Sequence, residues 1–247
     1  MTVLRRLHIA LSFLTCMGRG CLYTAEDISA SMPMYPAIGA LLGILLVFPL
    51  WCVQAQADTW IVAWLAVGLH IALTRALHWD AWADLWDGWG SGAQGERFWA
   101  IVKDSHIGAF GVLGLVLGLG LYAASMHVVI EQQAWATVMW ACAYGRFCCL
   151  ILAYCGRNLV RPGLGRNALL GATFSSLLWN GSVVGVLGLL FLGWLHILVT
   201  ASLTVIGLLF LLRLGQREHG LNGDFLGAAI IYGELATLLP LGFGFIS

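Results

Sequence analysis

The sequence predicts an all-α fold: a polytopic integral membrane bundle of about seven transmembrane helices, with six or eight left open. Hydrophobic residues make up 60% of the 247 positions and charged residues only 10%, whereas soluble domains are about a quarter charged. The twelve tryptophans suit a protein that meets membrane–water interfaces. Twelve basic and twelve acidic residues cancel, so no net field attracts a nucleic acid, and we expect no nucleic-acid partner.

The N-terminal segment predicts a short helix that lies at the membrane interface or dips into it as a re-entrant element. Arg5 and Arg6 precede the apolar stretch LHIALSFLTCM. This arrangement is also typical of the front half of a signal peptide, but no small-residue cleavage site follows it. The interfacial helix is therefore the favoured interpretation, and the signal peptide is the alternative.

Seven apolar stretches are long enough to cross a bilayer, which takes about 20 residues. The segment 174–212 is the ambiguous one, because it fits one long helix or two shorter ones. A single helix over 182–212 would be about 46 Å long, too long for a hydrocarbon core of about 30 Å. We therefore predict two helices there, and the crossings are placed at 33–53, 60–77, 107–129, 135–155, 174–195, 197–212 and 225–246.

Basic residues are segregated between alternate connections. Arginine or lysine occurs in the N-terminal segment (including Arg19) and in segments 78–106, 156–168 and 213–224, while 54–58 and 131–133 have none. This is the positive-inside pattern, and it places the four basic segments on the cytoplasmic side. We expect residues 1–247 to form one membrane domain with a cytoplasmic catalytic face. Two small-residue motifs, Gly39-x-x-x-Gly43 and Gly114-x-x-x-Gly118, predict close helix packing.

Three aspartates stand among tryptophans in the stretch HWDAWADLWDG. Asp80, Asp84 and Asp87 have the spacing i, i+4, i+7, which places them on one face of a helix, with the indoles on a second face. The like charges repel one another, and a divalent cation would relieve that repulsion. Carboxylate oxygens suit Mg²⁺ or Mn²⁺. We predict that these three aspartates bind the metal and, through it, a diphosphate; a solvated acidic helix face is the alternative. The tryptophan stripe is expected to be an interfacial belt.

Other polar residues are candidates for the same cytoplasmic surface. Asp104, in KDSHIGAFG, can return to it, although Lys103 could simply neutralise Asp104. Asp224 is either a helix N-cap or a further acidic group facing the aspartates. His78 flanks the cluster and suits a hydrogen-bonding role.

Two charged residues fall near the middle of predicted spans. Arg146 and Glu234 lie about ten residues from the cytoplasmic ends of their helices, at equal depth. Charges inside a membrane are costly and point to function. An Arg146–Glu234 pair is possible, and its role is either structural or substrate-binding. The remaining histidines, His70 among them, form no evident constellation.

Several of these segments, in order along the chain, resemble the signature segments of the cobalamin synthase family. They are PMYPAIGALLG, HWDAWADLWDGWGSG, IVKDSHIGAFGVLGL, YGRF and GLNGDFLGAAIIYGELATLL, and they extend over residues 33 to 240. The resemblance implies a membrane enzyme that joins adenosylcobinamide-GDP, a corrinoid, to α-ribazole or its 5′-phosphate. GMP is released and the product is adenosylcobalamin or its 5′-phosphate. The family is taken to use Mg²⁺.

The resemblance and the residue patterns together give a set of expected roles. Catalytic roles are expected for Asp104 as the base, Asp84 as the alternative base, and Arg146 as a phosphate-binding group. Substrate binding is expected of His78, Lys103, Ser105, Asp224 and Glu234, and metal binding of Asp80, Asp84 and Asp87. The expected partners are the two substrates and the lipid bilayer, and a homo-oligomer is left open. The expected location is the bacterial or archaeal cytoplasmic (inner) membrane.

Three other functions remain open from the residues alone. A CDP-alcohol phosphotransferase also uses helix aspartates, but its Asp-Gly-x-x-Ala-Arg opening is absent here. A prenyltransferase would need paired aspartate motifs in two loops, and one is evident. A transporter would depend on Arg146 and Glu234 and would tolerate loss of the cytoplasmic aspartates.

Overall fold

The computed structural model describes residues 1–18, 23–161 and 164–243, so Arg19 and positions 244–246 of the last predicted span lie outside it. Within those ranges the regular structure is helical, apart from one isolated bridge between Val160 and Leu221. The predicted all-α class is confirmed. The helices are α1 (Val3–Leu14), α2 (Ala25–Ser31), α3 (Tyr35–Val53), α4 (Thr59–Thr74), α5 (Leu77–Gly90), α6 (Glu96–Val102), α7 (Ala109–Gln132), α8 (Trp135–Cys155), α9 (Leu164–Leu169), α10 (Phe174–Phe191), α11 (Trp194–Arg217) and α12 (Gly223–Leu238), with 3-10 turns at Met32–Met34 and Leu239–Phe243.

Six helices in the described ranges are long and apolar enough to span a membrane: Ala25–Val53, α7, α8, α10, α11 and Gly223–Phe243. The chain is thus a multi-pass membrane protein, and the choice of two helices within 174–212 is confirmed. The pair α4–α5 supplies a seventh, broken crossing. Gln54 and Gln133, at the ends of α3 and α7, bond to each other. Both helices therefore end at one face, and α4–α5 must bring the chain back to the other.

The predicted continuous span at 60–77 is wrong, because the chain bends by 95° between α4 and α5. Arg75 and Ala76 both have positive φ, +53° and +57°, a left-handed conformation that is unusual outside glycine. Sixteen residues of α4 extend about 24 Å, less than a bilayer core of about 30 Å. After the bend, α5 packs against α7. The helix that carries the three aspartates is therefore not a straight continuation of α4.

The expected N-terminal helix is present as α1. The side chain of Thr2 caps it by accepting a bond from the Arg5 backbone amide. Ile9 and Leu14 are buried on its inner side, and Arg5 forms an ion pair with Asp27 of α2 at 3.1 Å. The helix therefore packs against the start of the first span rather than standing free.

Both small-residue motifs lie at close helix contacts, as predicted. A Cβ on Gly43 would fall 2.5 Å from the Met139 Cα, so α3 and α8 meet backbone to backbone there. On α7, Gly114 and Gly118 receive the rings of Trp86 and Trp79 from α5. These glycines set the distance between α5 and α7 and thereby place the acidic face of α5.

Candidate active site

The three aspartates of α5 lie on one helix face as predicted, but their surroundings differ. Asp80 is exposed, Asp84 is half-buried and Asp87 is buried. Asp84 experiences electrostatic repulsion from Asp80, Asp224 and Asp87, in that order. The solvent exposure of the three carboxylates therefore decreases along α5, from Asp80 to Asp87.

Asp87 anchors the beginning of α7. Its two carboxylate oxygens accept bonds from the backbone amides of Gly108 and Gly111, each at 2.7 Å. These amides are among those that a helix N-terminus leaves unpaired, and the helix dipole favours a negative charge there. Both Asp87 oxygens are thus already engaged, which gives this residue a structural role independent of any metal.

Asp224 joins the α5 aspartates from α12. The expected N-cap role for Asp224 is wrong, because Asn222 caps the helix by accepting bonds from the amides of Asp224 and Phe225. Asp224 is instead the second residue of α12. Its carboxylate accepts a bond from the Asn222 amide at 2.5 Å and is repelled by Asp80. The alternative expectation, a fourth acid facing the cluster, is the one that the structure supports.

A cavity of about 470 Å³ opens beside Asp80 and Asp224. Its walls come from α1, α3, α5, α8, α9 and α12. His78, predicted as a substrate-binding residue, is buried and lines it. The other lining residues include Phe13, Leu14, Tyr35, Arg75, Ala168, Leu226 and Ile230. The cavity thus combines carboxylates at one side with a mostly apolar wall.

Lys103, Asp104 and Ser105 lie in the exposed connection between α6 and α7 and do not line this cavity. Asp104 accepts a bond from the His106 backbone amide at 3.0 Å and contacts the His106 ring at 2.8 Å. The backbone bond, and then the ring contact, lower the pKa of Asp104. Its neighbour in space is therefore His106 rather than Lys103. The structure does not bring Asp104 into contact with the aspartates of α5.

Arg146 and Glu234 form the predicted ion pair, and both are fully buried. Arg146 also donates to the Cys142 carbonyl at 3.1 Å. Neither residue lines the cavity beside Asp80 and Asp224. A buried charge is stable only when it is paired, so each of these two requires the other.

His70 completes this interior cluster, and sequence analysis missed it. Its Nδ1 accepts a bond from the Trp79 indole at 3.1 Å, so the neutral ring carries its hydrogen on Nε2. That nitrogen lies 3.1 Å from a Glu234 oxygen, although the two are not aligned as a hydrogen bond. Trp79 is accordingly a core residue and not part of an interfacial belt, which corrects the prediction for that position. No spacing pattern links His70 to Glu234, because only the fold brings α4 and α12 together.

The acidic group suits a hard divalent cation in its chemistry. Among the described residues, no lysine or arginine forms an ion pair with Asp80, Asp84 or Asp224. Within the same ranges, no three His, Cys, Asp or Glu side chains are already gathered closely enough to enclose an ion. Mg²⁺ commonly binds one or two carboxylates and completes its shell with water and substrate phosphate. An open carboxylate face of this kind is compatible with that mode of binding.

Comparison with known proteins covers nearly the whole chain. The family described as Cobalamin-5-phosphate synthase matches residues 6–242. A relative from Nitratidesulfovibrio vulgaris (strain Miyazaki F), named adenosylcobinamide-GDP ribazoletransferase, is 40% identical over 95% of this chain and 94% of its own. A protein of the same name from Brevibacillus brevis is 30% identical over 94% and 95% of the two chains. No solved structure gives a significant match. The family match over residues 6–242, together with these relatives, shows that this chain belongs to the cobalamin-5-phosphate synthase family.

Proposed function

We propose that this chain is an adenosylcobinamide-GDP ribazoletransferase, which joins adenosylcobinamide-GDP to α-ribazole or its 5′-phosphate and releases GMP. The observation that supports this best is the meeting of Asp80 and Asp224 at the cavity, with Asp84 close enough to be repelled by both, in a chain of this family. A nucleotide diphosphate brings negative charge, so an acidic site can accept it only with a cation between the two. The acids thus fit a metal-assisted phosphoryl transfer.

The reaction exchanges one phosphorus–oxygen bond for another. A ribose hydroxyl of the acceptor attacks the phosphorus nearer the corrinoid, and the bond from that phosphorus to GMP breaks. Asp80 and Asp224 would hold Mg²⁺, with Mn²⁺ as a substitute, and Asp84 would lie beside the ion. When bound, the ion neutralises charge that develops on the phosphates and the leaving GMP. Asp87 holds α7 against α5 and so fixes the acidic face.

The attacking hydroxyl must lose a proton to a nearby base. Asp84 lies within the acidic group, whereas Asp104 lies on an exposed loop and is engaged by His106. We therefore favour Asp84 over Asp104 as the base. Lys103 and Ser105 remain candidates for contacts with the GDP moiety, because their loop ends at Gly108, which Asp87 fixes to α5. Arg146 and Glu234 would have a structural role, because their ion pair holds α8 against α12.

The site would face the cytoplasm of a bacterial or archaeal cell. The basic segments and the acidic group lie at the same end of the bundle, and arginine and lysine concentrate on the cytoplasmic side of membrane proteins. A homo-oligomer is compatible with this arrangement and is not required by it.

The direct test is GMP release by the purified, full-length chain supplied with both substrates and Mg²⁺. We expect turnover that disappears with a chelator. Asp84→Asn should reduce turnover at least about 100-fold, as for loss of a group acting in the transition state. The matched control is Glu131→Gln, an exposed acid at the opposite end of the bundle. A chain that releases no GMP but carries a solute across vesicles would be a transporter, and the proposal would be wrong.

A further inference from the structure

The cavity beside the acids contains two buried polar groups that have no hydrogen-bond partner among the described residues. They are the Tyr35 hydroxyl and His78 Nε2. The two side chains are only 1% and 2% exposed. Ser31 lies near the Tyr35 hydroxyl but outside hydrogen-bond geometry, and its own hydroxyl donates to the Ile28 carbonyl. Buried polar groups in folded proteins are nearly always satisfied, and these two belong to the wall of a cavity that a ligand can enter.

The size of the cavity limits what can enter it. A volume of 470 Å³ lies within the roughly 300–1,000 Å³ of typical small-molecule sites, which suits a ligand of about 20 non-hydrogen atoms such as α-ribazole. A corrin macrocycle with its side chains is several times larger. One nucleoside therefore fits inside, whereas the corrinoid must stay outside.

The lining also matches a nucleoside. Phe13 and Tyr35 are stacked, with ring centroids 6.2 Å apart, and Leu226 and Ile230 extend the apolar wall. Such a wall suits a flat aromatic base. The polar groups and the carboxylate of Asp80 then remain for the hydroxyls of a ribose. This places the ribose, and not the base, next to the acids.

We propose that this cavity is the binding site of the acceptor nucleoside, with the base against the apolar wall and the ribose toward Asp80 and Asp224. Tyr35 and His78 contact the nucleoside directly. The GDP-linked corrinoid approaches from outside the cavity and meets the ribose at the acidic face. This assignment rests on the proposed function and names which of its two substrates the cavity takes.

The test compares two tyrosine variants in the GMP-release assay. Tyr35→Phe removes the hydroxyl in the cavity. Tyr122→Phe removes an equally buried hydroxyl, without a hydrogen bond of good geometry, at a position outside the cavity. We expect Tyr35→Phe to raise the KM for α-ribazole about 3- to 10-fold, as for one lost hydrogen bond. It should leave the KM for the GDP-corrinoid within twofold, and Tyr122→Phe should change neither. Ala168→Leu, which narrows the cavity from α9, should give the same nucleoside-specific rise.

Three results would overturn the assignment: an unchanged nucleoside KM in both cavity variants, a rise confined to the GDP-corrinoid KM, or an equal rise in Tyr122→Phe. Failure of the proposed function itself has a different signature. In that case the wild-type chain releases no GMP at all, whereas failure of this assignment leaves wild-type turnover intact.

Discussion

At the scale of single residues, the aspartates of α5 divide into two kinds. Asp87 is buried and holds two backbone amides at the start of α7, whereas Asp80 lines the cavity with Asp224, and Asp84 lies near enough to be repelled by both. Their regular spacing predicts a common face and a common task. It gives no sign of this division, because the amides that occupy Asp87 come from a segment more than twenty residues away.

Asp87 offers a prediction about stability. Asparagine at this position keeps one acceptor and turns an amide group toward a backbone donor. Hydrogen bonds to a charged group contribute about 1.5–3 kcal/mol. We expect Asp87→Asn to lower the thermal unfolding midpoint of the detergent-purified chain by about 5 °C. Glu131→Gln should not lower it. If the midpoint is unchanged but the variant needs a higher Mg²⁺ concentration for turnover, Asp87 is instead a metal ligand.

Asp104 offers a prediction about pH. Its bonds with His106 lower its pKa, so the carboxylate stays ionised throughout the neutral range, which makes it a weak base. His106→Ala removes the ring contact and moves this pKa upward, toward the ordinary value of about 3.9. With Asp84 as the base, we expect the acid limb of the kcat/KM–pH profile to be the same in wild type and His106→Ala. A limb that moves to higher pH in the variant would identify Asp104 as the base.

At the scale of helices, the glycine face of α7 determines how the acidic face of α5 is presented. The helical character of α5 and the close packing at Gly114 and Gly118 could be predicted from spacing alone. The 95° bend before α5 could not, because Arg75 and Ala76 are not turn-forming residues. Tertiary contacts hold them in a left-handed conformation, including a bond from the Arg75 side chain to the Ser12 carbonyl. A local pattern carries no information about such contacts.

Substitutions on α7 test this packing. A Cβ at Gly114 would fall 2.5 Å from the Trp86 ring, while one at Gly120 meets nothing within 4 Å. We expect Gly114→Ala to destabilise the chain by about 1–3 kcal/mol through overpacking and to reduce turnover by displacing α5. Gly120→Ala should be neutral or slightly stabilising, since alanine favours a helix. Thermal unfolding and GMP release measure the two effects, and equal behaviour of the variants would exclude the packing explanation.

At the scale of the whole molecule, the membrane-spanning helices bring residues distant in sequence to two polar regions. One is the closed interior cluster of His70, Arg146 and Glu234; the other is the acidic face beside the cavity. Equal depth within two spans was enough to predict the Arg146–Glu234 pair. The cavity and its Tyr35 hydroxyl, unpartnered among the described residues, depend on how six helices meet, which residue spacing along the sequence cannot predict. The cytoplasmic orientation and the metal stay predictions.

The central claim is that the acidic face holds a divalent cation for a nucleotide diphosphate. The most direct measurement is a Mn²⁺ titration of the purified chain in the presence of GDP, followed by EPR. Wild type is expected to bind Mn²⁺, with binding weakened about tenfold or more in Asp80→Asn and in Asp224→Asn and unchanged in Glu131→Gln. If the wild-type chain binds no Mn²⁺ under these conditions, or if the two aspartate variants bind it as tightly as wild type, the claim is contradicted.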